Sequence, residues 1–252
     1  MAELQGEAKQ QYVASLFSRI TRRYDLMNDL MTAGLHRVWK SRTARLAMRD
    51  RSGMALDVAG GTGDLGLALA RQPNVEQSVV LDLLPGMIAR ARIKMVAAGL
   101  ERVTTCVVGD ALNLPFPDSA FACCTAGFSL RNMPNLEGIK KALEEMARVV
   151  EPGGCVAVLE LTPLSRGLIT SALNWYFHHV VPVMGKFVTG DRGAYEYLPQ
   201  SVDLFLEPGE LAAMFEETGL VRVGYQVMGF GAVAVHWGEK PLCHTNLCLA
   251  DP

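Results

Sequence analysis

The sequence predicts an α/β fold: a mostly parallel sheet with helices on its faces, closed at its end by an antiparallel hairpin. Three observations predict it. Apolar runs of five to seven residues alternate with helical stretches from Met54 to Leu161, and that alternation builds parallel strands joined by right-handed crossovers. The first run ends in a glycine turn, Leu56-Asp57-Val58-Ala59-Gly60-Gly61-Thr62-Gly63-Asp64, which reads as a strand passing into a helix. Val221 to Met228 and Val233 to Trp237 are two further apolar runs joined through Gly229-Phe230-Gly231, a link too short for anything but an antiparallel pair.

The elements follow in order. Met1 to Gln11 is polar and charged, unlike a signal or transit peptide. Gln10 to Leu30 reads as one helix, with Val13, Leu16, Phe17 and Ile20 at helical spacing, and a second helix follows Gly34 as far as Met48. Both precede the first strand, so residues 1–50 form a helical cover. Strands are expected at Met54 to Val58, Ser78 to Asp82, Val103 to Val108, Phe121 to Ala126 and Cys155 to Leu161. Helices are expected at Leu65 to Arg71, Pro85 to Ala98 (proline in its first turn, Gly99 as its stop) and Pro134 to Val150. Leu114-Pro115-Phe116-Pro117-Asp118 is a proline-locked loop and Glu151-Pro152-Gly153-Gly154 a turn. Residues 165–200 form an apolar helical insertion. Its core, Leu168 to Val188, approaches the length of a membrane span but is interrupted by Asn174, His178, His179, Pro182 and Lys186. A cover over a greasy tunnel, a bilayer-touching surface and a core helix all fit it. Residues 1–240 make one domain with seven strands, and 241–252 a disordered tail.

Composition narrows the function. The chain has 252 residues, half of them hydrophobic, and a net charge of −2. It lacks the basic stripe of a nucleic-acid binder. Its six cysteines include no CxxC pair and no zinc spacing. Cys106, Cys123, Cys124 and Cys155 fall in expected strands as small hydrophobes, which fits a reducing compartment.

The glycine turn carries the chemistry. Bare backbone N–H groups at a helix start suit a nucleotide-type ligand. Gly61-Thr62-Gly63-Asp64-Leu65-Gly66 fits GxGxxG, although a plain tight turn fits it too. Asp57 lies four residues before Gly61. A carboxylate there suits a ligand with an ammonium group, such as the methionine end of S-adenosylmethionine, better than a pyrophosphate. Asp82 follows Gly63 by nineteen residues, the spacing of a carboxylate that accepts ribose hydroxyls, and Asp110 ends the third strand. Three acids at or near successive strand ends mark one rim of the sheet as a crevice. A parallel sheet closed by an antiparallel hairpin is the layout of class I methyltransferases rather than dehydrogenases. A nicotinamide-binding oxidoreductase and a methyltransferase for another small molecule stand as alternatives.

The chain resembles the ubiquinone/menaquinone biosynthesis C-methyltransferases from about Tyr12 to Lys240. The resemblance rests on the glycine turn, Arg23-Tyr24-Asp25-Leu26-Met27-Asn28-Asp29, His36-Arg37-Val38-Trp39-Lys40, Leu114-Pro115-Phe116-Pro117-Asp118, Phe128-Ser129-Leu130-Arg131-Asn132 and Tyr195-Glu196-Tyr197-Leu198 with Ser201. Gly127 departs from the serine that some members carry before the phenylalanine. The insertion and Phe187 to Gly190 look more like the menaquinone branch. The resemblance implies S-adenosylmethionine as cofactor, without metal, and methylation of a prenylated quinol ring, demethylmenaquinol to menaquinol. It places cofactor contacts at Thr62, Asp82, Asp110 and Ala111, beside the turn residues Asp57, Gly61 and Gly63. An aromatic carbon becomes nucleophilic when a neighbouring hydroxyl ionises, so Arg131, Asn132, Tyr24 and His36 are the candidates for stabilising a phenolate or taking its proton. The setting it implies is cytoplasmic, with peripheral contact at the inner face of the membrane and no nucleic-acid partner; a homodimer is compatible with it.

Overall fold

β1 (Gly53–Val58) is the axis of the sheet in the computed structural model, which describes residues 4–164 and 168–242. It pairs in parallel with β2 (Val75–Asp82) on one side and β4 (Phe121–Gly127) on the other. β3 (Thr104–Val108) extends the sheet beyond β2, and β5 (Val150–Leu161) lies beside β4. β7 (Val233–Glu239) runs antiparallel between β5 and the edge strand β6 (Val221–Met228). The order is β3-β2-β1-β4-β5-β7-β6. The strands predicted from apolar runs are all present, as is the antiparallel closure.

Both faces of the sheet are covered. On one face α6 (Leu136–Val149) and α10 (Pro208–Glu217) bring Leu143, Met146 and Phe215 onto Leu56, Val156 and Val158. On the other, α3 (Leu35–Ala47) and α4 (Asp64–Ala70) pack Ala44, Ala47, Leu65 and Leu69 against Ala55, Cys123 and Cys155. α5 (Pro85–Ala97) adds Ile88, Ala91 and Met95 against Val80. Cys123, Cys124 and Cys155 are buried free thiols whose pKa burial raises, as expected of small hydrophobes. Cys243, Cys248 and the expected tail from residue 243 on lie outside the described residues.

Two expectations are corrected. The single helix over Gln10 to Leu30 is broken. α1 (Gly6–Ile20) and α2 (Tyr24–Thr32) are separated by a 3₁₀ turn at Thr21–Arg23. Arg23 has φ −119° and ψ 12°, off the helical path, so α2 is re-aimed. The turn at residues 151–154 is not a break before the fifth strand but an interruption within β5. Phe121 pairs Val150 and Cys123 pairs Cys155, so the four residues between are looped out of register. Gly153 takes φ 81° there, and its N–H donates to the Lys240 carbonyl (2.9 Å).

The N-terminal cover and the insertion share a core of their own. The insertion holds α7 (Leu168–Trp175), a π-turn (Tyr176–Val180), α8 (Val181–Thr189) and α9 (Arg192–Asp203). Leu16, Ile20 and Met27 of the cover pack with Val181, Tyr195 and Tyr197 of the insertion. Each such large apolar side chain taken from water contributes about 1.5–3 kcal/mol. α8 and α9 touch closely at Gly185, where a Cβ would sit 2.2 Å from the Tyr195 ring. Among the described residues no helix is long and apolar enough to cross a membrane.

Candidate active site

The carboxyl ends of β1, β2, β3 and β4 open on a cavity of about 140 Å³. A crevice at that end is where open α/β sheets take ligands. Gly61 turns above β1 with φ 57°, and a Cβ built on it would meet nothing within 4 Å. The backbone is therefore bare toward the cavity. Asp82, at the end of β2, is nearly buried. Its Oδ2 accepts the Gly61 N–H (2.9 Å) and its Oδ1 the Leu84 N–H (2.9 Å). Burial raises its pKa, and those two N–H groups oppose the rise. Asp110 follows β3 and accepts the Leu112 N–H at 2.9 Å. Leu83, Leu84, Met87 and Ala111 line an apolar flank beside the two acids.

Asp57 is also among the residues lining this cavity and is fully buried at its floor. Its Oδ2 accepts the Gly66 N–H (2.8 Å) and its Oδ1 the Thr125 hydroxyl (3.2 Å). A Cβ on Gly60 would fall 2.6 Å from Oδ2, and one on Gly66 2.3 Å from Val80 Cγ2. The acid inside the strand thus ties the start of α4 to β1, and these two glycines are the room it needs. Burial pushes its carboxyl up to about 7, against the Gly66 N–H and the Lys40 charge. Gly63 starts α4 at φ 81° and backs onto Met95 and Ala91 of α5, not onto the cavity.

Thr62 lines the cavity, but its hydroxyl is turned to the cover and donates to Asp25 Oδ1 at 2.5 Å. Lys94 bridges Asp25 (2.9 Å), the Thr62 hydroxyl (3.0 Å) and Asp64. Lys40 meets Asp64 at 3.0 Å. Burial alone would raise the Asp64 carboxyl, but Lys40 and Lys94 hold it well below the usual range. Next in the chain of contacts, His36 is buried with Nε2 2.9 Å from Asp29, which Arg37 also grips. Burial lowers its pKa despite Asp29, and among the described residues its Nδ1 has no hydrogen-bond partner, with Asp64 Oδ2 3.8 Å away. This clasp fastens α2 to the glycine turn. The Tyr24–Asp29 and His36–Lys40 segments supply most of it; Lys94 carried no signal in the sequence.

A second cavity, about 560 Å³ and mostly apolar, lies between the cover, the insertion and the β6–β7 link. His36, Trp39, Tyr176, Tyr195, Tyr197 and Phe230 are among its walls. The two cavities share Phe17, Tyr24 and Phe128. Phe128 adopts φ 58°, uncommon for a bulky residue, directly after β4. The 3₁₀ turn after it (Leu130–Asn132) splits its polar residues between the two spaces. Arg131 lines the apolar cavity and Asn132 the one at the glycine turn. Arg131 Nη1 donates to Glu160 Oε1 (2.5 Å) and to the Phe128 carbonyl (2.7 Å). Tyr197 donates to Asn132 Oδ1 at 3.3 Å. Of the residues predicted for substrate chemistry, Tyr24 touches both cavities, Arg131 and His36 only the second. Glu160 escaped the sequence reading, although an acid within an apolar strand was its signal, as for Asp57.

A family model described as the ubiE/COQ5 methyltransferase family matches residues 5–240. The chain is 41% identical over 226 residues to a demethylmenaquinone methyltransferase of Thermus thermophilus, covering 90% of this chain and 100% of that one. It is 40% identical over 234 residues to the ubiquinone/menaquinone biosynthesis C-methyltransferase UbiE of Pseudomonas paraeruginosa, covering 92% and 90%. Among solved structures it superposes with an O-methyltransferase family protein from Burkholderia thailandensis (TM-score 0.64, 19% identity, 90% of this chain and 62% of that one). It also superposes with a S-adenosylmethionine-dependent methyltransferase from Thermotoga maritima (TM-score 0.63, 16% identity, 90% and 99%). These two likenesses concern the fold; the sequence matches reach further, and by them the chain belongs to the ubiE/COQ5 methyltransferase family.

Proposed function

We propose that the protein transfers a methyl group from S-adenosylmethionine to a ring carbon of a prenylated quinol, converting demethylmenaquinol to menaquinol. The observation that carries this reading is the junction of two unlike cavities, one at a glycine turn and one apolar, across Phe17, Tyr24 and Phe128.

The first cavity fits the cofactor. Bare backbone at Gly61 leaves room for its thioether end. Asp82 offers its carboxylate to ribose hydroxyls, and Asp110 beside Ala111 suits an amino-purine edge against the apolar flank. Thr62 and Gly63 support this surface from behind, and Asp57 holds the turn in shape with its charge beneath it. Bound there, S-adenosylmethionine supplies an electrophilic methyl on a sulfonium.

The second cavity suits a flat ring followed by an isoprenoid chain, since its walls are aromatic and aliphatic. Tyr24 and Phe128 hold the ring at the junction, in line with the methyl. Arg131, on the wall of this cavity, faces the phenolic oxygen and favours its ionised form, while Asn132, on the cofactor side of the junction, is held by the Tyr197 hydroxyl. His36, whose pKa burial lowers, is the proton acceptor we assign on the cover. As the ring carbon bonds the methyl, the carbon–sulfur bond breaks and S-adenosylhomocysteine forms. The ring then loses its C–H proton to regain aromaticity, and one proton is released overall.

The mouth of this cavity supports peripheral contact with a bilayer. Leu30, Leu35 and Phe230 line the cavity and are also 46%, 50% and 74% exposed. A prenylated substrate would pass from lipid into the cavity along them.

The test is single-turnover methylation of a short-chain demethylmenaquinol, with S-adenosylhomocysteine affinity measured by calorimetry. Arg131→Ala is expected to slow the methyl transfer about 10²–10³-fold, the range for deleting one preorganised donor, with cofactor affinity unchanged. No product from the quinol with the wild type, while the cofactor binds, would overturn the substrate assignment. Full activity of Arg131→Ala would remove that residue from the chemistry.

A further inference from the structure

We infer that Glu160 is a positioning residue: it fixes the Arg131 guanidinium so that the Nε–H is left uncommitted for the acceptor's oxygen. This rests on the reading of Arg131 given above and adds a residue to it.

Glu160 lies one residue before the end of β5 and is fully buried. Its Oε1 accepts from Arg131 Nη1 (2.5 Å) and from the Leu161 N–H (2.9 Å), while the Arg131 backbone N–H approaches Oε2 at 3.4 Å. Nη1 also donates to the Phe128 carbonyl, so both of its protons are committed on one side of the guanidinium. The carboxylate is itself carried by a strand, β5, and strands and helices hold side chains more precisely than loops. Nε is buried too, and among the described residues it has no hydrogen-bond partner.

An unpaired N–H in a buried place is costly and therefore uncommon. Here it belongs to a residue lining an apolar cavity that offers few acceptors. The partner that satisfies it comes with the ligand, and an oxygen on a ring is of the right chemistry. The carboxylate has a second effect. Arg131 and Glu160 together carry no net charge, so the pair gives little attraction to a permanently anionic ligand. It suits a neutral phenol that becomes negative only as the reaction proceeds, when a fixed guanidinium already stands at the cavity wall.

The experiment is a double-mutant cycle on the full chain with Glu160→Gln, Arg131→Ala and the two combined. The readouts are single-turnover methylation of a short-chain demethylmenaquinol and S-adenosylhomocysteine affinity. Gln keeps the size and one acceptor oxygen but loses the charge-assisted grip. Glu160→Gln should slow methylation about 10–100-fold with cofactor affinity unchanged, and cost less than about twofold once Arg131 is already Ala. An equal loss in both backgrounds would make Glu160 merely structural and overturn the inference. If Arg131→Ala is impaired and Glu160→Gln is not, the inference fails and the reading of Arg131 stands. If Arg131→Ala is fully active, both fall. Should Glu160→Gln not fold, nitrogen-15 spectra of the wild type decide: a distinct Arg131 Nε–H resonance must shift when a short-chain demethylmenaquinol is added with S-adenosylhomocysteine. No shift on saturation would overturn the inference.

Discussion

Replacing Asp57 by Asn separates the two roles a carboxylate beneath the glycine turn can have. The side chain keeps its shape: the amide oxygen takes the Gly66 N–H and the NH₂ donates to the Thr125 hydroxyl, where Asp57 now accepts both. What changes is the charge. Burial lifts the folded carboxyl from 3.8 to about 7. As pH rises, the unfolded chain loses this proton first. Stability from this group is therefore full below the ordinary carboxylate value and falls until pH passes about 7. A gap of about 3 pH units corresponds to about 4 kcal/mol, of which about 2.5 kcal/mol falls between pH 5 and 8. The Asn variant lacks this dependence. Urea melts at pH 5 and pH 8 should show the variant gaining on the wild type by that amount, all other titrating groups cancelling in the difference. Parallel stability curves would refute the buried-charge reasoning. S-adenosylhomocysteine affinity, measured alongside, should fall less than about tenfold if the carboxylate only holds the turn. A hundredfold loss would place Asp57 in contact with the cofactor's amino group.

Asp82→Ala frees the Gly61 and Leu84 N–H groups as well as the ribose site, so calorimetry should show S-adenosylhomocysteine binding weakened by about 1–3 kcal/mol. His236, buried with Nε2 on the Pro208 carbonyl, has its pKa lowered to about 4 by burial. Its contribution is present above the ordinary 6.5 and is lost as pH falls toward 4, so His236→Phe should remove up to about 3 kcal/mol of acid sensitivity from thermal melts between those values. Gly185→Ala drives a methyl into the Tyr195 ring and should destabilise the cover–insertion core by about 1–3 kcal/mol. Hydrogen exchange should then quicken in α8 and α9 while cofactor affinity holds.

The sheet was legible because its strands are buried runs bounded by turn residues, and local pattern carries that information. That Asp82 and Asp110 stand on one rim was legible for the same reason: a parallel sheet puts the ends of β1, β2 and β3 side by side, whereas Ala111 came from the family resemblance. Contacts between distant segments were not. Asp25, Thr62, Asp64 and Lys94 meet only when the cover folds over the turn, and no spacing in the chain announces it. Asp57 was read as a ligand contact because its position before the glycines was clear. That it also ties Gly66 and Thr125 together from the floor of the cavity depends on the third dimension. The break at Thr21–Arg23 was hidden because the apolar spacing of α1 runs on into α2, and tertiary packing overrides that pattern.

The junction at Phe17, Tyr24 and Phe128 has a kinetic consequence. With donor and acceptor in separate cavities that meet only at these residues, neither would have to leave before the other enters, and no compulsory order of addition would be imposed. Spent S-adenosylhomocysteine can exchange while a quinol stays in its own chamber. Initial-rate plots should then give intersecting lines, with S-adenosylhomocysteine competing against S-adenosylmethionine but not against the quinol.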